Sequence, residues 1–223
     1  MGDADVRLRA RVTVAVRDAA TTILLRDGSS GPAILMGQRG ASAAFMPSKY
    51  VFPGGAVDAD DGATSFARNL AADTRTALTR RSETAPEALA AAALRELAEE
   101  TGQIVARPGK GPAWPGFEGL APDAEPLRFV FRAITPPGRP RRFDARFFLV
   151  GTEALAGDPD DFSAAEDELS HLHWVPLSEA RALDMPFITE VVLAEIAAIV
   201  RGRDAPGIPF FDNSGETSVF HRL

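Results

Sequence analysis

The stretch that most constrains this chain is an alanine-rich segment, residues 84–104, which also carries a dense group of acids. Thr84 followed three positions later by Glu87 is a capping-box pattern, which predicts the start of a helix. Alanine and leucine then fill the interior, and these residues hold a helix with little loss of entropy. Gly102 accepts the left-handed conformation that often ends a helix. The sequence therefore predicts one helix over about residues 84–101.

Three glutamates share one face of this predicted helix. Glu96, Glu99 and Glu100 are spaced so that their carboxylates lie side by side. Like charges at such distances repel unless water or a cation separates them, and Mg²⁺ and Mn²⁺ prefer carboxylate oxygens. An acidic arc is also typical of a solvent-facing helix surface. Leu89 and Ala92 project from the same side one or two turns earlier, which favours a face covered by protein.

The order of fixed residues around these acids resembles the signature of the Nudix hydrolases. The matching run is Arg-Glu-Leu-Ala-Glu-Glu-Thr-Gly at residues 95–102, with Glu87 eight positions before Arg95. Phe-Pro-Gly-Gly at residues 52–55 extends the match upstream. On this pattern the chain is identified as a member of that family.

The chain departs from the family pattern in two places. The family expects an aliphatic residue after the motif glycine, where this chain has Gln103. The family also places its first glycine six residues before the first glutamate, whereas Gly55 and Glu87 are 32 positions apart (87 − 55). The difference of 26 positions (32 − 6) predicts an insertion, at about residues 58–83. Within it Asp58, Asp60 and Asp61 are expected to form a solvated turn.

The resemblance implies a metal site and an acid/base group. The metal ligands that it implies for Mg²⁺ or Mn²⁺ are the Gly55 carbonyl, Glu96, Glu99 and Glu100. Glu96 would either complete the metal shell or take a proton. The family often supplies one further acid shortly before a tryptophan. Glu168, six residues before Trp174, is the first candidate for that acid, with Glu166 second, and it would be the alternative base; a solvated acid is the other interpretation.

The resemblance also implies substrate-binding and structural residues. The family often has an arginine near the substrate at the position of Arg39, for which a solvated strand end is the alternative. Lys49, considered by itself, would either meet a phosphate or be a solvated lysine. The remaining motif positions have structural roles: Gly54, Glu87, Arg95 and Gly102. Glu87 and Arg95 are expected to pair with each other and fix the loop to the helix.

Hydrophobic patterns outside the motif predict the other elements. Strands are expected at residues 11–16, 21–25, 33–36, 51–52, 103–106, 127–134, 144–150 and 169–176. The pair at 21–25 and 33–36 forms a hairpin, residues 65–78 are compatible with a helix, and residues 185–200 form an amphipathic helix. A further helix start is expected at Ser178, and the tail from 202 to 223 is expected to be irregular. Trp114 and Phe117 would either anchor the loop 107–126 or stack on a base.

The family resemblance implies an α+β fold, a Nudix-type α/β/α sandwich with a mixed sheet and an inserted helical segment, in one domain over residues 1–223. It implies hydrolysis of the diphosphate bond in a nucleoside-linked substrate. Residues 45–58 and 134–148 are similar to the coenzyme A diphosphatase branch, so coenzyme A or an acyl-coenzyme A is the first expectation. NADH, ADP-ribose or an oxidised nucleotide is the alternative. A non-catalytic, nucleotide-binding Nudix regulator is the alternative of another class.

Composition sets the remaining expectations. A net charge of −7 argues against non-specific nucleic-acid binding, and the absence of cysteine excludes disulfides and thiol nucleophiles. No apolar run is long enough to cross a membrane, and the first residues lack a signal-peptide pattern. The expected partner is a small-molecule nucleotide, and the expected location is the cytoplasm. Because Nudix proteins are often dimers, a homodimer is one option.

Overall fold

The chain folds around one large sheet in a computed structural model that describes residues 14–28, 31–43, 45–203, 205–215 and 217–223. The strands in these ranges are β1 (Val16–Gly28), β2 (Gly31–Arg39), β3 (Tyr50–Val51), β4 (Gly54–Ala56), β5 (Ala106–Pro108), β6 (Leu120–Pro122), β7 (Arg128–Ile134), β8 (Arg142–Gly151), β9 (Leu169–Pro176), β10 (Pro209–Asp212) and β11 (Val219–Arg222). The helices are α1 (Ala72–Leu78), α2 (Pro86–Thr101) and α3 (Phe187–Val200).

Nine strands form a mixed sheet, which confirms the predicted α+β class. Seven of them follow the order β11-β10-β7-β8-β1-β2-β3, while β4 pairs with β1 and β9 pairs with β2. The pairs β1–β8 and β7–β10 are parallel, and the other pairs are antiparallel. Strands β5 and β6 form a separate two-stranded ribbon.

The two faces of the sheet are each covered by one long helix. Ala20 and Leu24 of β1 belong to a buried cluster that contains the apolar residues of α2. Ile23 of the same strand belongs to a second cluster, which contains Val192 and Ile196 of α3. Because successive side chains of a strand point to opposite faces, β1 serves both clusters. The predicted α/β/α sandwich is therefore confirmed.

Helix α2 begins differently from the prediction and ends as predicted. It starts at Pro86, whose fixed φ suits the first turn of a helix, and no side chain caps it. Thr84 instead donates its hydroxyl hydrogen bond to Asp18 at 2.6 Å, so the predicted capping box is wrong. At the other end Gly102 has φ 71°, the left-handed conformation that was expected there.

The C-terminal tail is ordered where it was expected to be irregular. Strands β10 and β11 form a hairpin, and β10 adds to the edge of the sheet beside β7. The Asn213 side chain donates to the Ile134 carbonyl at 2.8 Å, and Arg142 donates to the Asn213 carbonyl at 3.0 Å. These bonds fix the tail to the ends of β7 and β8, a tertiary contact that local sequence patterns do not show.

Several other boundaries also shift. The predicted hairpin of β1 and β2 is confirmed, as is β9 over residues 169–176. The helix expected within 65–78 is confined to α1, and the start expected at Ser178 is a 3₁₀ turn at Ala180–Ala182. The predicted strand at 11–16 lies largely outside the described residues. The strand expected at 103–106 is shifted to β5, which begins at its last residue.

The loop between α2 and β7 is anchored by its aromatic residues. Phe117 is buried, and Trp114 meets it edge to face with ring centroids 5.3 Å apart. The anchoring role is therefore the one that the structure supports for both rings. None of the helices in the described ranges has the length and hydropathy needed to cross a membrane.

Candidate active site

Two glycines bring β4 into direct contact with the acidic face of α2. Strand β4 runs antiparallel to β1, with Gly55 opposite Ala20. The Gly54 N–H donates to Glu100 Oε2 at 2.7 Å. A Cβ at Gly54 would lie 2.5 Å from the Ala20 carbonyl oxygen, and a Cβ at Gly55 would overlap the Glu96 carboxylate. Glycine suits both positions because Gly54 packs closely against the β1 backbone and Gly55 against the Glu96 carboxylate.

The three glutamates of α2 are crowded and largely covered. Glu100 is 3% exposed, and burial raises its pKa to about 8, with the nearby charges of Glu96 and Glu168 adding to the rise. Burial likewise raises the pKa of Glu96 to about 7, against the opposing charge of Arg95. Burial also raises the pKa of Glu99. The solvated-face interpretation therefore does not hold for these acids.

Arg95 ties two of the glutamates to the chain that follows β4. Its Nη1 donates to Glu96 at 2.8 Å and to Glu99 at 3.0 Å. Its Nε and Nη2 each donate to Asp61 at 3.1 Å, and Nη2 also donates to the Ala56 carbonyl. Burial disfavours the charge on Arg95, but the bonds and charges of these carboxylates outweigh it and raise the pKa of Arg95.

Arg39 and Glu168 lie together at the edge of this cluster. Arg39 Nη2 donates to Glu168 at 2.8 Å. The charge of Glu168 raises the pKa of Glu96 and of Glu100, which places that carboxylate near both. Arg39 Nε is buried and has no hydrogen-bond partner within the described part of the chain. An unpaired buried donor beside a group of acids is suited to an anionic ligand.

The ion-pair partner of Lys49 lies outside the glutamate cluster. Its ammonium group forms an ion pair with Asp184. The neighbouring Tyr50 meets His173 edge to face, with ring centroids 5.8 Å apart. The structure therefore places Arg39 beside the glutamate cluster, whereas Lys49 pairs with Asp184, an acid that is not part of this cluster.

A family model for the NUDIX domain matches residues 16–195. The chain belongs to the Nudix hydrolase family. A crystal structure of a NUDIX hydrolase from Alicyclobacillus acidocaldarius is 31% identical, with a TM-score of 0.64, and the match covers 86% of this chain and 94% of that one. This chain therefore shares its overall fold with a Nudix hydrolase of known structure.

Two Caenorhabditis elegans proteins are also similar. One, named "Putative nudix hydrolase 7", is 28% identical over 191 residues, which cover 76% of this chain and 54% of that protein. The Nudix chain described here thus spans about half the length of that curated relative. A binary complex of an Ap4A hydrolase shares the fold at 16% identity, with a TM-score of 0.51, and the match covers 84% of this chain and 99% of that one.

The Nudix pattern locates an acid that the sequence interpretation missed. The predicted Glu87–Arg95 pair is wrong, because Glu87 pairs with Arg75 of α1 at 2.7 Å and Asp61 pairs with Arg95. Asp61 is six residues after Gly55 (61 − 55), the family spacing for the first acid. Asp61 is also only 3% exposed, so the solvated turn predicted around it is wrong at this residue. The spacing from Gly55 could have identified Asp61 from the sequence. It was missed because this chain has aspartate where the family pattern has glutamate.

This pairing moves the insertion within the Nudix box. Asp61 and Arg95 are 34 positions apart (95 − 61), where the family has eight, so the 26 extra residues (34 − 8) follow Asp61 instead of preceding it. They contain α1 and extend to the first turn of α2. The pKa of Glu87 is lowered by its hydrogen bond from Arg75, which fits a surface pair that anchors the insertion.

We expect Asp61→Asn to destabilise the protein by about 1–3 kcal/mol, because Arg95 would lose a buried charged partner. Turnover should fall as well, since Arg95 holds Glu96 and Glu99. Glu87→Gln is the matched control and should change the free energy of unfolding by less than about 1 kcal/mol, because the Arg75 pair is exposed. Urea unfolding of both variants is the measurement. A larger loss of stability in Glu87→Gln than in Asp61→Asn would show that Glu87, and not Asp61, is the acid on which the stability of this region depends.

The donor chemistry of the cluster fits a hard divalent cation. Carboxylate and backbone carbonyl oxygens are the ligands that such ions prefer. Burial raises the pKa of Glu100 because the Gly54 N–H and the Arg39 charge offset only part of the cost of burying its charge, and a cation would add to that compensation. In the described ranges, however, three acids do not converge as a ready metal site. Arg95 holds Glu96 and Glu99, so these side chains would have to turn to share an ion.

Proposed function

We propose that this Nudix protein is a divalent-metal-dependent hydrolase that cleaves the diphosphate bond of a nucleoside-diphosphate-linked substrate. The observation that carries the proposal is the clustering of three acids beside β4: Glu100 accepts from the Gly54 N–H, Glu96 lies against Gly55, and Arg95 holds Glu99 beside Glu96. A solvated or purely structural face has no need for three acids whose pKa values are all raised by burial.

Four groups would hold the metal, Mg²⁺ or Mn²⁺. They are the Gly55 carbonyl, Glu96, Glu99 and Glu100. When bound, such an ion neutralises phosphate oxygens and lowers the pKa of a water molecule. Gly54 contributes by donating its N–H to Glu100, which fixes the orientation of that carboxylate.

The remaining groups have roles in proton transfer and substrate binding. Glu168 would accept the proton of the attacking water, with Glu96 as the alternative base. Arg39 orients Glu168 through their 2.8 Å bond, and its guanidinium would bind a substrate phosphate. Lys49 would contact a more distant anionic group after exchanging Asp184 for it.

Coenzyme A or an acyl-coenzyme A is the substrate that we propose. Support comes from the two segments that resemble the coenzyme A diphosphatase branch, because the fold brings them together. Phe45 in the first and Phe143 in the second meet edge to face, with ring centroids 5.5 Å apart, and both are partly exposed. Such a pair offers an apolar surface to a nucleobase or to an extended thiol-bearing arm.

A metal-dependent hydrolysis assay on a substrate panel tests this proposal. The panel contains coenzyme A, acetyl-coenzyme A, NADH, ADP-ribose and nucleoside triphosphates, each with Mg²⁺, with Mn²⁺ and with EDTA. We expect release of a 4′-phosphopantetheine fragment only when metal is present. Activity confined to another dinucleotide would keep the reaction and discard coenzyme A. Tight nucleotide binding without any turnover would favour the regulator.

A cytoplasmic location and a homodimer complete the proposal. Light scattering on the purified chain would give its mass in solution, for which a dimer predicts about twice the 23.7 kDa of one chain. A monomer would remove the dimer from the proposal without affecting the reaction, because every site residue named above comes from one chain.

A further inference from the structure

The loop that carries Glu168 lies along the C-terminal end of α2. This segment, residues 156–168, is called the acid loop here. At its start the Ala156 N–H donates to the Ile104 carbonyl at 2.8 Å. Near its end the Glu166 N–H donates at 2.8 Å to the carbonyl of Glu99, one of the four that the last turn of a helix leaves without a helical partner.

Gln103 attaches the middle of the acid loop from inside. Its side chain is 2% exposed, and Nε2 donates to the Asp161 carbonyl at 2.7 Å and to the Asp158 carbonyl at 3.3 Å. Its own N–H donates to Thr101 Oγ1 at 3.1 Å, which holds the residue at the helix end. A buried amide is stable only where such partners exist.

The aliphatic residue that the Nudix pattern expects at this position could not make these bonds. Leucine there would leave two loop carbonyls facing an apolar group. The departure at Gln103 therefore coincides with a specific contact to the acid loop, and the loop in turn carries Glu168.

Other contacts also hold the acid loop, and two of them fall between the Asp158 and Asp161 carbonyls that Gln103 binds. Trp174 Nε1 donates to the Pro159 carbonyl at 3.1 Å, and Arg26 pairs with Asp160 at 2.7 Å on the exposed side. Gly102 approaches Ala164 so closely that a Cβ there would lie 3.1 Å from the alanine Cβ. Beyond Glu168 the chain enters β9, which pairs with β2 beside Arg39.

We propose that Gln103 is a positioning residue that fixes the acid loop on α2 and thereby sets Glu168 against the glutamate cluster. The helix end serves as the common frame, since Glu99 and Glu100 lie in the last turn of α2 and Gln103 directly follows the Gly102 cap. The consequence for turnover rests on the proposed function, whereas the fixing of the loop does not.

The experiment compares the wild-type chain with Gln103→Leu and Gln103→Glu. The first variant restores the residue that the family pattern expects, and the second keeps the size of the side chain but lacks the amide donor. Amide hydrogen exchange should accelerate about 10-fold or more within residues 156–168 in both variants, because local opening controls exchange there. Gln38→Leu is the matched control for exchange, since the Gln38 amide donates to Ser48 in another loop.

The kinetic arm uses a double-mutant cycle with Glu168→Gln. On the wild-type background Gln103→Leu should lower kcat about 10- to 100-fold, the effect of a misplaced reacting group. KM should change by less than about threefold, because substrate binding is retained. On the Glu168→Gln background the same substitution should change kcat little, as expected for two residues that act through one group.

Unchanged exchange in the acid loop of both Gln103 variants would overturn the proposal. Faster exchange would also overturn it if Gln103→Leu lowered kcat by the same factor on the wild-type and Glu168→Gln backgrounds. In that case Gln103 would act on something other than Glu168. Absence of turnover in the wild-type chain would refute the proposed function instead, and the exchange data would still decide whether Gln103 fixes the loop.

Discussion

Glu100→Gln should lower turnover by about 10²–10³-fold, the scale for removing one electrostatic contact to a transition state. Glutamine can still accept the Gly54 N–H through its amide oxygen, so the local fold is kept. It cannot supply a charged oxygen to a cation. The expected loss is therefore a loss of reaction and not of structure.

The same substitution should raise stability in metal-free buffer, and the gain should depend on pH. Burial raises the pKa of Glu100 to about 8 from an ordinary 4.5. Between these values the folded chain keeps a proton that the unfolded chain has released, so wild-type stability falls as pH rises through that window. Glutamine has no such loss. We expect a gain of roughly 1–3 kcal/mol at pH 8.5 that vanishes near pH 4.5.

Urea unfolding of both proteins in EDTA from pH 4.5 to 8.5 measures this effect, alongside turnover with Mg²⁺. Glu118→Gln is the matched control, because Glu118 is exposed in the loop after β5, and it should change neither quantity appreciably. Added Mg²⁺ should stabilise the wild type more than Glu100→Gln. A stability difference independent of pH would show that the Glu100 charge is compensated without a metal.

The central helix, the hairpin and strand β9 could be predicted because local patterns determine them. The period of apolar residues, the glycine at the helix end and the alternation along β9 are all visible in the sequence. The glutamate cluster was predictable for the same reason, since its residues lie on one helix. Its contact with Gly54 and Gly55 required the family resemblance, because 41 positions (96 − 55) separate Gly55 from Glu96.

What the sequence did not show were contacts between distant segments. Asp61 was assigned to a solvated turn because its partner, Arg95, is 34 positions away (95 − 61). Thr84 matched a capping box, yet Asp18 competes for its hydroxyl. The tail was expected to be irregular because strands of four residues acquire their stability from the sheet edge that they join. In each case a tertiary partner outweighed a local preference.

Part of the coenzyme A branch resemblance has a structural explanation. Asp144 accepts hydrogen bonds from Arg132 at 2.8 and 2.6 Å, and the Arg146 guanidinium lies 3.2 Å from it. Arg146 also donates to Ser82, and Arg132 to the Arg81 carbonyl at 2.8 Å. These residues brace the end of the insertion against the sheet. The Asp-x-Arg pattern at 144–146 therefore reports how the insertion is held, and substrate preference must come from other residues.

Asp144→Ala should consequently destabilise the protein by about 3–5 kcal/mol, because buried Arg132 loses its carboxylate partner while Arg146, which keeps Asp18, still repels it. At roughly 2–4 °C per kcal/mol for a chain of this size, Tm should fall by about 6–20 °C. Arg75→Ala, which breaks an exposed pair, should cost less than about 1 kcal/mol.

Scanning calorimetry gives the first comparison, and kcat at 15 °C, where Asp144→Ala is still folded, gives the second. That kcat should match the wild type, since Asp144 has no contact with the α2 glutamates in the described residues. A fall in kcat with unchanged Tm would instead assign this pattern to the substrate.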